Sequence, residues 1–181
     1  MLDRAKIAYV MYHTKGYLDA FKYIKDLDLQ AFSAVIAVGG DGTIHEVVNG
    51  MMFRADRSKI PLAFVPNGSG NDTCFSLGLL SVEQALQCIE KGEILKVDLN
   101  RVLLDAQTEQ DAAGDISRLR YSVINSCPGF VARVVHRALN YKSWAGRFSY
   151  LLAALAEFFV GGPAESFKVT VTNKCTFEGG V

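Results

Sequence analysis

Residues 38–43 read Val-Gly-Gly-Asp-Gly-Thr and stand between an apolar run and a helical pattern. The run before them, Ala34 to Val38, is apolar on both faces, as the central strands of a parallel sheet are. After the glycines, Thr43-Ile44-His45-Glu46 has the spacing of a capping box, which predicts the start of a helix. Glycines at such a junction let backbone N–H groups approach an anion, and the helix adds its positive end. The stretch therefore predicts a strand, a phosphate-binding loop and a helix.

A tight Asp-Gly turn is the alternative interpretation of residues 41–42, and in isolation it is the commoner use of this dipeptide. A hairpin turn needs a second strand after it. The sequence instead continues with apolar residues at helical spacing, namely Ile44, Val47, Val48 and Met51. The surrounding pattern therefore favours phosphate binding.

A second glycine-rich motif reads Pro-Asn-Gly-Ser-Gly-Asn-Asp at residues 66–72 and follows the predicted strand Leu62 to Val65. Parallel strands end at the same edge of a sheet. We therefore expect this loop and the loop at Gly39 to Thr43 to face each other across a ligand-binding crevice. The alternative is an ordinary polar turn in which Asn71 or Asp72 caps the next helix. Both roles can coexist.

Further patterns complete the first half of the chain. Ile7 to Tyr12 is another apolar run that is typical of a strand. A helical stripe follows it, formed by Leu18, Phe21, Ile24 and Leu27. A second capping box, Ser81-x-x-Gln84, opens a helix that Gly92 is placed to end. The βαβα order predicts an α/β fold with a parallel sheet, and we assign residues 1–92 to a nucleotide-binding domain.

The pattern changes after Gly92. Three strand-like segments follow, at Leu95 to Leu99, Arg118 to Ser126 and Phe167 to Thr172. Two apolar stripes at helical spacing lie between the last two of them, within residues 131–139 and 148–159. We therefore assign residues 93–181 to the start of a second, mainly antiparallel β domain.

The composition excludes several classes of protein. Nineteen basic residues balance nineteen acidic ones, so no global field attracts nucleic acid. The four cysteines form no C-x-x-C pair, which predicts reduced thiols and no zinc site. No apolar stretch reaches the roughly 18 residues of a membrane span, and the N-terminus lacks the apolar core of a signal peptide. A cytoplasmic protein that contacts a membrane surface peripherally fits best, and homo-oligomer formation is left open.

At its two glycine motifs the chain resembles the diacylglycerol kinase catalytic-domain superfamily, which includes bacterial lipid kinases, sphingosine kinases and ceramide kinases. The resemblance rests on Gly-Gly-Asp-Gly-Thr-Ile-His-Glu-Val-Val-Asn-Gly at residues 39–50 and on Pro-x-Gly-x-Gly-Asn-Asp at residues 66–72. The match begins at residues 14–20, and motifs of lower specificity at residues 97–99, 128–132 and 146–150 extend it over nearly the whole chain. NAD kinases and phosphofructokinases share the first loop and a Rossmann-like domain, but they are not expected to continue with the second motif.

The resemblance implies a lipid kinase that transfers the γ-phosphoryl group of ATP to a lipid alcohol at a membrane surface, with Mg²⁺ neutralising charge. The lipid would be of the diacylglycerol, ceramide or sphingoid type. The implied contacts to ATP come from Thr14, Gly39, Gly40, Asp41, Gly42, Thr43, Ile44, His45, Gly68, Ser69 and Asn71. Asp41 is the implied catalytic residue, acting either through a metal or by taking the hydroxyl proton. Its alternative role is to form an Asx-type turn. No residue is assigned as a metal ligand.

The chain departs from the family pattern at both ends and at Arg133. Family members begin with an additional strand and end with a domain that holds an Asp-Gly-Glu segment, and neither is present. We therefore expect a truncated form that is catalytically silent, with unpaired strands and a tendency to associate. Sphingosine kinases carry an acidic residue at the position of Arg133, so arginine there disfavours a cationic sphingoid base unless it lies on the solvated face of a helix. The alternatives are a non-catalytic nucleotide-binding module and, more distantly, an NAD kinase.

Overall fold

The computed structural model describes residues 7–104, 115–124, 126–127, 129–162, 166–171 and 175–180. The chain divides into two compact units, Met1–Asn125 and Ser126–Val181. The first unit contains α1 (Asp19–Asp26), β1 (Val35–Gly39), α2 (Asp41–Met52), β2 (Leu62–Pro66), α3 (Asp72–Ser76), α4 (Val82–Lys91), β3 (Asn100–Leu103) and β4 (Leu119–Ser122). The second unit contains α5 (Phe130–Ala145), α6 (Ser149–Val160), β5 (Ser166–Val171) and β6 (Cys175–Gly180). The predicted domain boundary after residue 92 stays a prediction.

A parallel pair of strands in the first unit, together with separate antiparallel pairs, confirms the predicted mixed α/β class. Strands β1 and β2 pair in register from Val35 opposite Leu62 to Gly39 opposite Pro66. The connection between them contains α2, as a parallel crossover requires. The core of this unit is formed by Ala20, Ile24, Leu29, Ala37, Ile44, Val47, Val48, Met51, Phe64 and Cys74.

Helix α1 is capped at both ends by residues far along the chain. At its N-terminal end the carboxylate of Glu46 accepts hydrogen bonds from the backbone N–H groups of Leu18 (3.0 Å) and Ala20 (3.2 Å). At its C-terminal end the guanidinium of Arg54 donates to the backbone oxygen of Ile24 (2.7 Å) and to two further carbonyl oxygens. An anion at the first turn and a cation at the last both favour the helix dipole. An eight-residue helix that would be marginal in isolation is thereby held in place.

Helices α1 and α2 approach each other most closely at Gly50. A Cβ atom at this position would lie 2.7 Å from the backbone oxygen of Phe21 and 3.0 Å from the Cβ atom of Ile24. Glycine therefore occurs inside α2, despite its poor helix propensity, because a side chain would push the two helices apart.

The antiparallel hairpin of β3 and β4 packs on α2 through Asn49. This side chain is fully buried. Its carboxamide nitrogen donates to the carbonyl of Tyr121 at 2.9 Å, and its oxygen accepts from the N–H of Tyr121 at 2.8 Å. The carboxamide thus takes the place that a neighbouring strand would occupy on that edge of β4.

Helices α5 and α6 of the second unit pack against each other around an ion pair. Helix α6 buries Ser149, Ala153 and Glu157, which lie at four-residue steps on one face. The carboxylate of Glu157 accepts hydrogen bonds from Nε of Arg133 (2.7 Å) and Nε of Arg137 (2.8 Å). Arg133 is therefore engaged with a buried carboxylate and is not simply part of a solvated helix face.

The outward face of α6 is apolar, and α5 also exposes apolar side chains beside His136 and Asn140. Their exposed large side chains are Val131, Val135, Leu139, Tyr150, Leu151, Leu155, Phe158, Phe159 and Val160. This arrangement is the reverse of an ordinary surface helix, which turns its apolar stripe inward.

Two predicted strands differ from the structure. Residues 7–12 form no strand, and Tyr9, Val10 and Met11 are exposed. Residues 95–99 lie in an irregular segment, and the strand begins only at Asn100. The local pattern of a short apolar or alternating run does not identify the strand with which it would pair. It therefore does not determine whether a β-ladder forms.

Other expectations about pairing and capping have clear outcomes. Strands β4 and β5, which were expected to lack partners, each pair antiparallel with a strand of this chain. The capping box of α4 is confirmed, since the hydroxyl of Ser81 accepts from the N–H of Gln84 at 3.2 Å. Gly92 ends this helix in the left-handed conformation, with φ of 66°.

Among the described helices, none combines the length and the apolarity that crossing a bilayer requires.

Replacement of Arg54 by leucine should lower the free energy of unfolding by about 2–4 kcal/mol, because three carbonyl oxygens at the end of α1 lose their donors. Urea denaturation followed by circular dichroism measures this change. The control is Arg57→Ala, which removes an exposed neighbouring arginine and should change the free energy by less than about 0.5 kcal/mol. Equal stability of the two variants would contradict the capping role of Arg54.

Candidate anion-binding site

Strand β1 passes into helix α2 through one residue, Gly40, whose backbone is extended. The helix begins at Asp41, and its first intrahelical hydrogen bond runs from the N–H of Ile44 to the carbonyl of Gly40 at 3.1 Å. Gly40, which occupies the N-cap position, has no side chain that could cap this end. The N–H groups of Asp41, Gly42 and Thr43 therefore have no intrahelical partner, and they point out of the positive end of the helix.

The predicted capping box at Thr43 is wrong. Because α2 begins at Asp41, three residues earlier than that box requires, Thr43 lies inside the first turn. Its partner in the box, Glu46, instead caps α1. The consequence for the site is direct, since the end of α2 keeps its donors available to an anion.

Close packing against the Thr43 side chain and the Gly68 backbone explains the first two glycines of the motif. A Cβ atom on Gly39 would lie 2.6 Å from the hydroxyl oxygen of Thr43, and one on Gly40 would lie 3.1 Å from the Cα atom of Gly68. A Cβ atom on Gly68 would come within 2.4 Å of the Cα atom of Gly40. Gly42 differs, because a Cβ atom there would meet open space. The two glycine loops thus touch at their backbones, and the first turn of α2 is open at Gly42.

The second loop is held by its own asparagine. The N–H of Asn67 donates to the carbonyl of Gly39 at 3.0 Å, which extends the pairing of the two strands into the loops. Asn71 accepts from the N–H of Gly68 at 2.7 Å and donates to the carbonyl of Gly68 at 2.9 Å. With φ of 62°, Asn71 occupies the left-handed region that asparagine tolerates. Its side chain closes the loop and does not cap α3.

Asp41 caps α3, whose own N-cap residue, Asn71, makes no side-chain cap. Its two carboxylate oxygens accept from the N–H groups of Thr73 (2.8 Å) and Asp72 (3.2 Å). Burial by itself would raise the pKa of Asp41, but hydrogen bonds from Thr73, and then from the backbone of Asp72 and Asn71, outweigh it and hold the pKa below its ordinary value of 3.8. Asp41 is therefore an ionised link between the two loops.

The remaining predicted contact residues lie at different depths. Ser69 is exposed on the second loop. Ile44 is 1% exposed and belongs to the core, so its side chain anchors α2. His45 is half-buried, and burial, followed by the guanidinium of Arg120, lowers its pKa from 6.5. Thr14 is exposed outside regular structure. The structure thus brings together the glycines, Asp41, Thr43 and Asn71, while the side chain of Ile44 belongs to the core and the role of Thr14 stays a prediction.

Sequence reasoning missed the roles of Glu46, Asn49 and Arg54. The sequence offered one signal, because Asn49 is a polar residue beside the apolar stripe of α2. The structure shows that this side chain is fully buried, and a buried polar group needs hydrogen-bond partners. In the described part of the chain, no group of three histidine, cysteine, aspartate or glutamate side chains is placed to hold a metal ion.

The model of the diacylglycerol kinase catalytic domain family matches residues 1–102 of the chain. Sphingosine kinase 2 of Arabidopsis thaliana is 35% identical over 80 residues, which cover 42% of this chain and 17% of that protein. A protein of Yersinia enterocolitica named probable lipid kinase YegS-like is 34% identical over 85 residues, which cover 46% of this chain and 29% of the relative. These matches span less than a third of either relative.

A solved structure has the same fold. The crystal structure of a diacylglycerol kinase from Bacillus anthracis str. Sterne aligns with a TM-score of 0.55 and 24% identity, covering 99% of this chain and 52% of that one. The family match covers more than half of the residues, and the glycine loops and the open end of α2 lie within the matched part. The chain belongs to the diacylglycerol kinase catalytic domain family of lipid kinases.

Proposed function

We propose that this chain binds the phosphates of ATP at the N-terminal end of α2, as the nucleotide-binding part of a lipid kinase. The observation that carries the proposal is the uncapped first turn of α2, which is flanked by backbones in contact at Gly40 and Gly68. A helix end of this kind is a preformed site for phosphate.

The geometry fits a phosphate in three respects. The N–H groups of Asp41, Gly42 and Thr43 supply donors from the backbone. Gly42 leaves open space beside them for a ligand. The Asp41 carboxylate accepts bonds from the first residues of α3, so part of its charge is already compensated.

Mg²⁺ would arrive with the nucleotide and neutralise the charge of the phosphate oxygens. The described residues do not by themselves form a metal site. In this proposal the protein contributes the helix end and the backbone donors, and the phosphates contribute most of the metal ligands.

We further propose that Asp41 is a positioning residue. A carboxylate whose pKa is lowered is a weak proton acceptor, which disfavours a general base at this position. Its bonds to Asp72 and Thr73 hold the second loop in register with the first turn of α2. Loss of this link would move the two loops apart and weaken nucleotide binding.

The proposed acceptor is the hydroxyl group of a lipid. Two relatives are named as a sphingosine kinase and a lipid kinase, and a structural neighbour is named as a diacylglycerol kinase. Arg133, which pairs with the buried Glu157, provides no acidic partner for a cationic sphingoid base. A neutral diacylglycerol or ceramide is therefore the preferred acceptor class.

Nucleotide binding is tested at Gly42, where a side chain meets open space. Gly42→Asp should weaken the affinity for Mg²⁺-ATP at least about tenfold, because it places a negative charge beside the phosphates. Its fold should persist, since an acidic residue favours the first turn of a helix. Gly42→Ala is the matched control and should retain the affinity of the wild type within about threefold. Isothermal titration calorimetry gives the constants, and equal affinities for the Asp and Ala variants would remove the phosphate assignment.

The link formed by Asp41 predicts a pH dependence of stability. Because the folded pKa lies below 3.8, the unfolded state binds the proton more readily. The stabilisation is therefore complete above about pH 5 and is lost as the pH falls through the folded pKa. The difference in unfolding free energy between the wild type and Asp41→Asn should be largest near neutral pH and should shrink below about pH 4. Denaturant titrations along a pH series measure it, and a difference that does not vary with pH would contradict the ionised link.

The acceptor class is tested with the natural protein purified from its source through an antibody against this sequence. It is incubated with labelled ATP and, in separate reactions, diacylglycerol, ceramide, sphingosine and NAD. We expect label in the diacylglycerol or ceramide product, which thin-layer chromatography separates from the others. Labelling of NAD alone would support an NAD kinase, and the absence of any product would support a non-catalytic nucleotide-binding module.

A further inference from the structure

Asn49 combines complete burial with hydrogen bonds from both its amide nitrogen and its oxygen. Its amide nitrogen donates to the carbonyl of His45 at 2.8 Å and to the carbonyl of Tyr121 at 2.9 Å. Its oxygen accepts from the N–H of Tyr121 at 2.8 Å. A buried carboxamide with this many partners is costly to replace, because any substitution leaves backbone groups unsatisfied. Asn49 therefore fixes both backbone groups of one residue of β4 against α2.

The same helix carries the candidate phosphate site at its other end. Asn49 follows Asp41 by eight residues, which corresponds to roughly 12 Å along a helix. Its side chain is buried and bonded to the backbone, so it does not reach a ligand bound at the first turn. An effect of Asn49 on the bound nucleotide would have to pass through α2 as a rigid element.

We propose that Asn49 is a positioning residue that couples the phosphate-binding end of α2 to the β3–β4 hairpin. The inference rests on the proposed function, because the ligand whose binding the hairpin senses is the nucleotide. Strand β4 brings β3 with it, since Val102 pairs with Arg120 and Arg101 pairs with Tyr121. The hairpin and the first turn of α2 then move as one body.

A neighbouring histidine reports on the position of the hairpin. Arg120 of β4 lies close enough to His45 to lower its pKa, an effect that adds to burial and that Glu46 opposes. If β4 leaves α2, His45 loses the effect of Arg120. Its pKa should then rise toward the ordinary value of 6.5.

The experiment compares the wild type with Asn49→Leu by hydrogen exchange in the presence and absence of Mg²⁺-ATP. In the wild type, nucleotide should slow exchange at the amides of α2 and of β4, including that of Tyr121. In Asn49→Leu, nucleotide should still slow exchange in α2, whereas the amides of β4 should no longer respond. Without nucleotide, the Tyr121 amide should exchange at least about tenfold faster in the variant, because it has lost its acceptor.

The matched control is Asn100→Leu. Asn100 also donates from its side chain to a backbone carbonyl of this region, that of Ile124 at 3.1 Å, but this bond does not involve α2. The control should keep the nucleotide response of β4. If Asn49→Leu does not fold, Asn49→Asp is used, which keeps an acceptor for Tyr121 N–H but cannot donate to its carbonyl. A partial loss of the β4 response is then expected.

The outcomes separate this inference from the proposed function. If β4 responds to nucleotide equally in the wild type and in the Asn49 variant, the coupling role is wrong although nucleotide binds. If the wild type binds no nucleotide, the proposed function is wrong, and the attachment of the hairpin is judged without ligand. In that case, NMR titration of His45 decides: a raised pKa in Asn49→Leu but not in Asn100→Leu supports the attachment, and an unchanged pKa overturns it.

Discussion

Side-chain hydrogen bonds from α2 to the backbones of neighbouring elements are the interaction on which the first unit depends. The carboxylate of Asp41 caps α3, that of Glu46 caps α1, and the carboxamide of Asn49 pairs with β4. The backbone groups at these helix ends and at the edge of this strand would otherwise lack hydrogen-bond partners. Helix α2 therefore supplies the core through its apolar residues and fixes the surrounding elements through its polar ones.

The open end of α2 follows from this use of its side chains. An aspartate near the start of a helix often serves that helix, but Asp41 turns to α3 instead. The first N–H groups of its own helix have no intrahelical acceptor, and the glycines in contact beside them, Gly40 and Gly68, bring no side chain there. The same residues therefore stabilise the fold and form the site. For this reason the motif at residues 38–43 is compatible with both a turn and a phosphate-binding loop.

The second unit inverts the usual distribution of polarity. Glu157 is buried between α5 and α6, and two arginines compensate its charge. Removing either arginine would leave a buried carboxylate with less compensation, which is costlier than losing an exposed ion pair. The outward side chains of α6 are apolar, including Leu155 and Phe158. Small residues inside, such as Ala153, let the two helices approach closely enough for the ion pair to form.

The sequence by itself determined the α/β class, the junctions at residues 38–43 and 66–72, and the caps of α4, because these depend on neighbours within a few residues. Only the tertiary structure decided the partners of Glu46, Asp41 and Asn49, which lie 28, 32 and 72 residues away. It also decided that residues 7–12 form no strand. The physical reason is that a carboxylate or carboxamide satisfies any backbone group brought within about 3 Å, and the packing of the chain alone selects which group that is.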